Sequence, residues 1–393
     1  MPELKVYPLL VAMSLALVSG AWSGESHSGE DLTGQNFSSR DLSKGSFKNC
    51  VLENARFNQT LGSKVSFQGS TGKNVTFKSA QLSESDFDKV QFPASNFSDA
   101  DLRGSTFRKA DITDGNFANT VLVESNFSGA IAPRGNFSDS KFEEKIDFSR
   151  AMLENAKFRN NSLEKADFRK AILTGATFQN VKLEGANFSG ATMGKVTFNE
   201  SNLTSADLGK LNFTDASFAS ASFVEADLKG SRFENSRFDK AEFGHARLGG
   251  AKFMKCSLIY SSFFQVSFDG VDFTGSNFQN TTFDGGSVSK ANFSECILDK
   301  SKVYMDKISG VNFSGAKLRN VDFSNTKFFN CDFTGADLSN SRFEGAFLTG
   351  CDFSSANLSG VFWESDNLKK NIYNGSTRFP APYSPHPSQF RNR

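Results

Sequence analysis

The sequence predicts an all-β fold, a chain wound into a four-sided solenoid of short strands. Three observations carry the prediction. A bulky apolar residue recurs at every fifth position, as in "GANFSGATMGKVTFNESNLTSADL", where Phe188, Met193, Phe198, Leu203 and Leu208 keep step. The residue two places before each is small: Ala186, Ala191, Val196, Ser201 and Ala206. The other three positions of each unit are mostly polar. A helix needs apolar residues at a period near 3.6 and a strand at a period of two, so a period of five fits neither alone. Alternation along a short strand points the bulky and the small residue to one face. A corner must then interrupt the strand after five residues.

The register runs in fives from Leu32 to Phe142, takes one six-residue step through "EEKID", and resumes from Phe148 to Leu368. From Phe37 to Phe198 every second unit carries Phe, and the units between carry mostly Leu. If Phe stacks on Phe from coil to coil, the number of sides is even, and four is the smallest even number that encloses a core. Gly62, Gly72 and Ala132 under-fill bulky positions, all on the Leu-type walls. Pro93 and Pro133 follow bulky positions and predict local breaks, because proline cannot donate to a ladder. From Phe213 onward Phe occupies the other pair of walls, with Val303 the exception, so a seam is expected near 203–213.

The units "ANFSG", "ADLKG", "ADLSN", "GADL" and "GANF" resemble the pentapeptide repeat, A(D/N)LXX, over residues 31–368. That resemblance implies a right-handed quadrilateral β-helix with four units per coil, hence about 17 coils and a length on the order of 80 Å at ~4.8 Å per coil. It also implies that Tyr373, Thr377, Phe379 and Pro380 close the end of the last coil.

Outside the repeat, Lys5, the apolar run "LLVAMSLALV" and the small residues of "SGAWSG" read as a signal peptide over 1–24. The run is short for a membrane anchor, so no stable span is expected after cleavage. The mature N-terminus is expected between about residues 20 and 28. At the other end, 369–380 is expected to cap the solenoid and 381–393 to be a flexible, Pro-rich tail. An open coil edge invites end-to-end pairing, so a homodimer through that end is the alternative to a cap.

Catalytic chemistry is not evident. His27, His245 and His386 lie near the N-terminus, on an outward position and in the tail, with no metal spacing among them. All five cysteines, Cys50, Cys256, Cys296, Cys331 and Cys351, occupy the small inward slot. Cys331 and Cys351 would stack on adjacent coils under the family geometry. Parallel side chains there match poorly the Cβ approach of ~3.8 Å that a disulfide needs. Asn-Phe-Ser sequons follow from the repeat itself. Asn292, Asn312, Asp332 and Asp352 are expected to form an outward ladder, and a flat wall does not bring oxygens together as calcium requires. No cofactor is expected.

A candidate partner patch comes from large apolar residues at outward positions. Tyr260, Phe264, Tyr304, Met305 and Phe362 gather on or beside one wall, while Ile259, Phe329 and Phe347 are scattered. The function expected is that of a non-catalytic exported scaffold, in the periplasm, a lumen or outside the cell, binding a protein or envelope partner. The alternative is a DNA mimic that modulates a topoisomerase, as some members of the resembled family are. It requires a strongly acidic rod, whereas 44 basic residues balance 43 acidic ones here. That balance also argues against nucleic acid as a partner.

Overall fold

A computed structural model describes residues 24–392 apart from Glu144. The expected signal peptide therefore lies, except for Gly24, outside the described residues. Among the described residues the chain is all-β, a solenoid in which each residue pairs in parallel with the one twenty places on. The ladder begins at Ser26↔Ser46 and reaches Asp352↔Ile372 and Asn357↔Arg378. We label the four walls A to D, starting from Leu32, Phe37, Leu42 and Phe47. Among the described residues no helix is long and apolar enough to cross a membrane.

The period of five has a backbone cause. The residue two after almost every bulky one sits in the left-handed region, as at Lys44 (φ 61°), Asn49 (φ 55°) and Gly190 (φ 72°). In most units the amide three after the bulky residue closes a turn on the bulky residue's carbonyl, as Gly45 does on Leu42 at 2.7 Å. A positive φ at the third residue of such a turn defines type II, which favours Gly or Asn there. The amide just after the bulky residue would be left over. Where Asp or Asn stands just before the bulky residue, its side chain takes that amide, as when the Ser189 amide donates to Asn187 Oδ1 at 2.9 Å and the Thr334 amide to Asp332 Oδ1 at 2.8 Å. This bond accounts for the Asp or Asn of the repeat, for its sequons, and for the work done by Asn292, Asn312, Asp332 and Asp352.

The same geometry corrects the expectation for the prolines. Pro93 and Pro133 occupy the turn position whose amide the ladder leaves unused in closed-turn units, and proline is favoured there. The ladder continues through both, with Asn74 donating to the Pro93 carbonyl at 3.1 Å and Asp114 to that of Pro133 at 3.0 Å. Where the turn opens, a polar residue in the small slot of the next coil fills it. Ser105 accepts from the Ser85 amide at 3.1 Å and donates to the Leu82 carbonyl at 2.9 Å.

The core is a herringbone of phenylalanine. Phe87 lies parallel to Phe107 with centroids 4.7 Å apart, while Phe97 on the opposite wall meets Phe107 edge-on at 5.6 Å. Both orientations suit the ring quadrupole. Wall D carries its stack from Phe47 to Phe188, and wall B from Phe37 to Phe238. The stack on wall A begins at Phe213 and runs to Phe353, so two walls share the coils around Phe218. At Gly72 an added Cβ would come within 2.6 Å of the Leu52 backbone. Phe92, on the next coil of that wall, fills the space and lies 6.0 Å from Phe77. The six-residue step is a bulged corner between walls C and D. Ladder spacing there becomes 21, as in Asn126↔Asp147, and Phe127 still stacks on Phe148 at 5.1 Å.

Both ends of the core are closed by the chain itself. At the N-terminal end His27 takes a bulky position on wall D, 5.3 Å from the Phe47 ring, with Glu25 2.7 Å from Nε2 and Glu30 3.0 Å from Nδ1. At the C-terminal end the expected flexible tail is corrected. Phe390–Asn392 adds a parallel strand to Asn371–Tyr373, and Phe390 is buried among Trp363, Tyr373, Phe379 and Tyr383. The exposed phenyl faces of the last coil outweigh the low complexity of a Pro-rich segment.

Phe188→Ala should cost about 3–5 kcal/mol through lost burial and the cavity left. Ser189→Ala, which removes one surface bond to Asp207 at 2.6 Å, should cost within ~1 kcal/mol. Because each coil contacts only its neighbours, hydrogen exchange should rise around residues 165–210 in the Phe variant and stay unchanged near residue 330. The reverse order of cost would refute the inward register. A second prediction concerns His27. Burial lowers its pKa, but hydrogen bonds to Glu25 and Glu30, and their charges, outweigh that and raise it above 6.5. A raised folded pKa means full stabilisation below the unfolded value, lost as pH rises through the folded one. Exchange protection of residues 24–50 should therefore fall as pH rises above 6.5 and through the raised folded value, and His27→Gln should flatten that dependence.

Candidate interaction surface

Outward side chains form columns, each residue lying beside those twenty before and after it. Many neighbours in a column carry opposite charge: Lys64 and Glu84 at 3.3 Å, Arg134 and Asp114 at 2.6 Å, Arg247 and Asp227 at 2.9 Å. Arg134 and Asp114 are bidentate, with a second bond of 2.7 Å. Each pair contributes little to stability in solvent. Together they cancel charge locally.

Of the five residues expected in the patch, four are exposed. Tyr260 keeps 60% of its surface, Phe362 57%, Phe264 49% and Tyr304 40%. Phe264 and Tyr304 share a column on wall C with Asp284 between them. Tyr260 stands at the corner of walls B and C, where the left-handed turn residue points outward (φ 60°). Phe362 lies on wall C in the neighbouring column, beside Arg342. His245 packs its ring edge-on to Phe264 at 5.3 Å. The Tyr304 hydroxyl donates to Asp322 at 3.2 Å, and burial together with the Asp322 charge pushes its pKa up.

Met305 is corrected out of the patch. It is 3% exposed and points into the core. Val303 replaces Phe on wall C, and walls B and D carry only Leu298, Val288 and Ile308 at that level. Met305 turns inward into the space they leave, and Asp306, due inside by the repeat, turns out. An apolar cavity of about 10 Å³ remains between Phe283, Phe293, Val303, Met305 and Phe323. It is at the lower limit for one water and offers no polar partner. The signal for this exchange was the Val at 303, the one non-Phe residue in its series.

All five cysteines are free and buried. Burial pushes the thiols of Cys256 and Cys296 up to about 12, which keeps them protonated. Among the described residues no group of three His, Cys, Asp or Glu is placed to hold a metal ion. Sequence reasoning missed three exposed apolar residues, Val51 (43%), Leu61 (46%) and Met152 (36%), which occupy the position before a bulky residue. That position, scanned by itself, would have found them.

Two family models match the repeat along most of the chain. A family model described as a pentapeptide repeat region matches residues 40–117, 110–188 and 236–313. Another, described as pentapeptide repeats in eight copies, matches 182–219, 198–235, 216–254, 307–345 and 331–362. No curated protein matches the chain. Among solved structures, a trypsin-treated form of QnrB1, a plasmid-mediated fluoroquinolone resistance protein, is 25% identical with a TM-score of 0.42, over 47% of this chain and 91% of that one. HetL, involved in regulating heterocyst differentiation in the cyanobacterium Nostoc, is 21% identical with a TM-score of 0.16, over 67% of this chain and 89% of that one. A pentapeptide repeat protein of the Arabidopsis thaliana thylakoid lumen is 22% identical with a TM-score of 0.17, over 26% of this chain and 64% of that one. With a turn at every fifth residue, a four-walled coil and family matches over most of its length, the chain belongs to the pentapeptide repeat family.

Proposed function

We propose that this chain is a non-catalytic, exported scaffold that holds a protein partner of the cell envelope on wall C. The observation that carries the reading is the exposure of Phe264 and Tyr304 in one column, with Tyr260 at the adjoining corner. Aromatic side chains left in water are favoured anchors at protein interfaces. Phe264 and Tyr304 stand two coils apart, roughly 10 Å at ~4.8 Å per coil. Asp284 between them and Asp322 beside them supply polar groups for a rim. The family's solenoid form supports the scaffold part of the reading, and the apolar N-terminal run supports the export part. The DNA-mimic alternative requires an acidic rod, and columns that pair Arg with Asp give little net charge.

A partner retained by the full-length chain from its own envelope fraction should be lost when Phe264 and Tyr304 are both changed to Ser. At ~2 kcal/mol for an anchor, each change should weaken binding about 30-fold. Lys78→Ser on wall B should leave it unchanged. Equal retention by the wall C variant would remove this wall from the reading. The export part is tested separately by sequencing the N-terminus of the chain from its host. A start between about residues 20 and 28 is expected, and an intact cytosolic chain beginning at Met1 would refute export.

A further inference from the structure

The last coils of wall D break the rule that columns pair opposite charges. Lys307 lies beside Lys327, and Lys327 beside Phe347, in one registered column. In the next column Phe329 lies between Ser309 and Thr349, and Thr349 beside Lys369. Lys290 and Lys370 stand at the corner with wall A. All five lysines are exposed, and none makes an ion pair among the described residues. Lys307 places its ammonium 5.3 Å from the centre of the Phe329 ring, and Phe347 keeps 44% of its surface in water. From Val288 to Lys370 this wall presents no acidic residue; Asp306 and Asp366 sit at its border with wall C and Glu295 on wall A. Like charges side by side in a ladder are unfavourable by themselves. Their repulsion is relieved when an anionic surface covers them.

We infer that the C-terminal third of wall D is a docking face for an anionic lipid surface, with Lys307, Lys327 and Lys369 over the headgroups and Phe329 and Phe347 entering the interface. The inference is independent of the partner on wall C, because it concerns a different wall. Three features select lipid. The face is flat, as a bilayer is. Lysines near an anionic bilayer each gain on the order of 1 kcal/mol, and aromatic side chains enter its interface. The competing occupant is the acidic wall A of a second copy, with Asp272, Glu295 and Asp332. Over residues 271–355 that wall adds Asp352 and is lined otherwise by outward Ser, Thr, Asn and Gly, and so its acidic stretch gives Phe329 and Phe347 nothing apolar to meet.

The test is co-sedimentation of the full-length chain with vesicles of phosphatidylcholine alone or with one-third phosphatidylglycerol. The neutral vesicles set the baseline from the N-terminal apolar run. Binding above that baseline is expected with the anionic vesicles, falling with salt. The double change Lys307→Gln and Lys327→Gln should weaken it about 30-fold, from ~1 kcal/mol per lysine. Phe347→Ser should weaken it without altering its salt dependence. Lys300→Gln with Lys317→Gln, the same charge change on wall B, should leave it unchanged. Equal binding to both vesicles, or equal loss from the wall B variant, would overturn the inference. Lipid-free self-association that disappears in the Lys307 and Lys327 variant, without anionic vesicle binding, would assign the face to a second copy instead.

Discussion

Each residue of this solenoid lies directly beside the residue twenty places away, and the rest of the structure depends on that constraint. It makes every side chain the neighbour of its own equivalents. A Phe on one coil is best accommodated by a Phe on the next, because parallel rings about 5 Å apart fill the spacing that the backbone ladder imposes. The opposite wall then meets those rings edge-on. The ladder can hold this spacing only if the chain turns a corner every five residues, which the left-handed turn residue and the Asx bond before it accomplish together. Core, corner and surface are therefore set by one geometry.

Much of this was legible in the sequence because the inward pattern is strict. Phe188 and Ser201 declare their side of the chain by position alone. The turn chemistry was less legible. Pro93 and Pro133 looked like breaks, since proline removes a donor, and only the hydrogen bonds show that this donor is unused by the ladder. Met305 was misplaced for a related reason. Its unit obeys the count of five, but the small Val303 leaves a void, and filling it outweighs the regular corner. The C-terminal segment was misjudged from composition. Its prolines hide Phe390, which is the side chain that covers the last stack. For the candidate surface, exposure at Tyr260, Phe264, Tyr304 and Phe362 follows from the register, whereas their neighbours depend on how four columns meet and cannot be read from spacing in one unit.

The surface follows from the same column rule as the core. Stacked opposite charges neutralise most of the rod, so its net charge of +1 conceals where the charge lies. Two places depart from that neutrality. Wall C interrupts polar columns with aromatic side chains, and the end of wall D sets lysine beside lysine and phenylalanine. They face different directions from one rod, which is the arrangement expected of a part that joins two things. A rigid core suits that role, since a joint that flexed would lose the orientation it sets.

The bulged corner between Phe142 and Phe148 shows that one extra residue is absorbed where it occurs, leaving the walls beyond it in place. An extra unit of five behaves differently. It fits the ladder without strain and carries the chain one side further round, so every later residue turns by a quarter of the circumference. Chain length upstream thus serves as an angular coordinate. Inserting a single unit at the corner between Tyr304 and Lys307 would re-aim the later lysines against the aromatic column that precedes them.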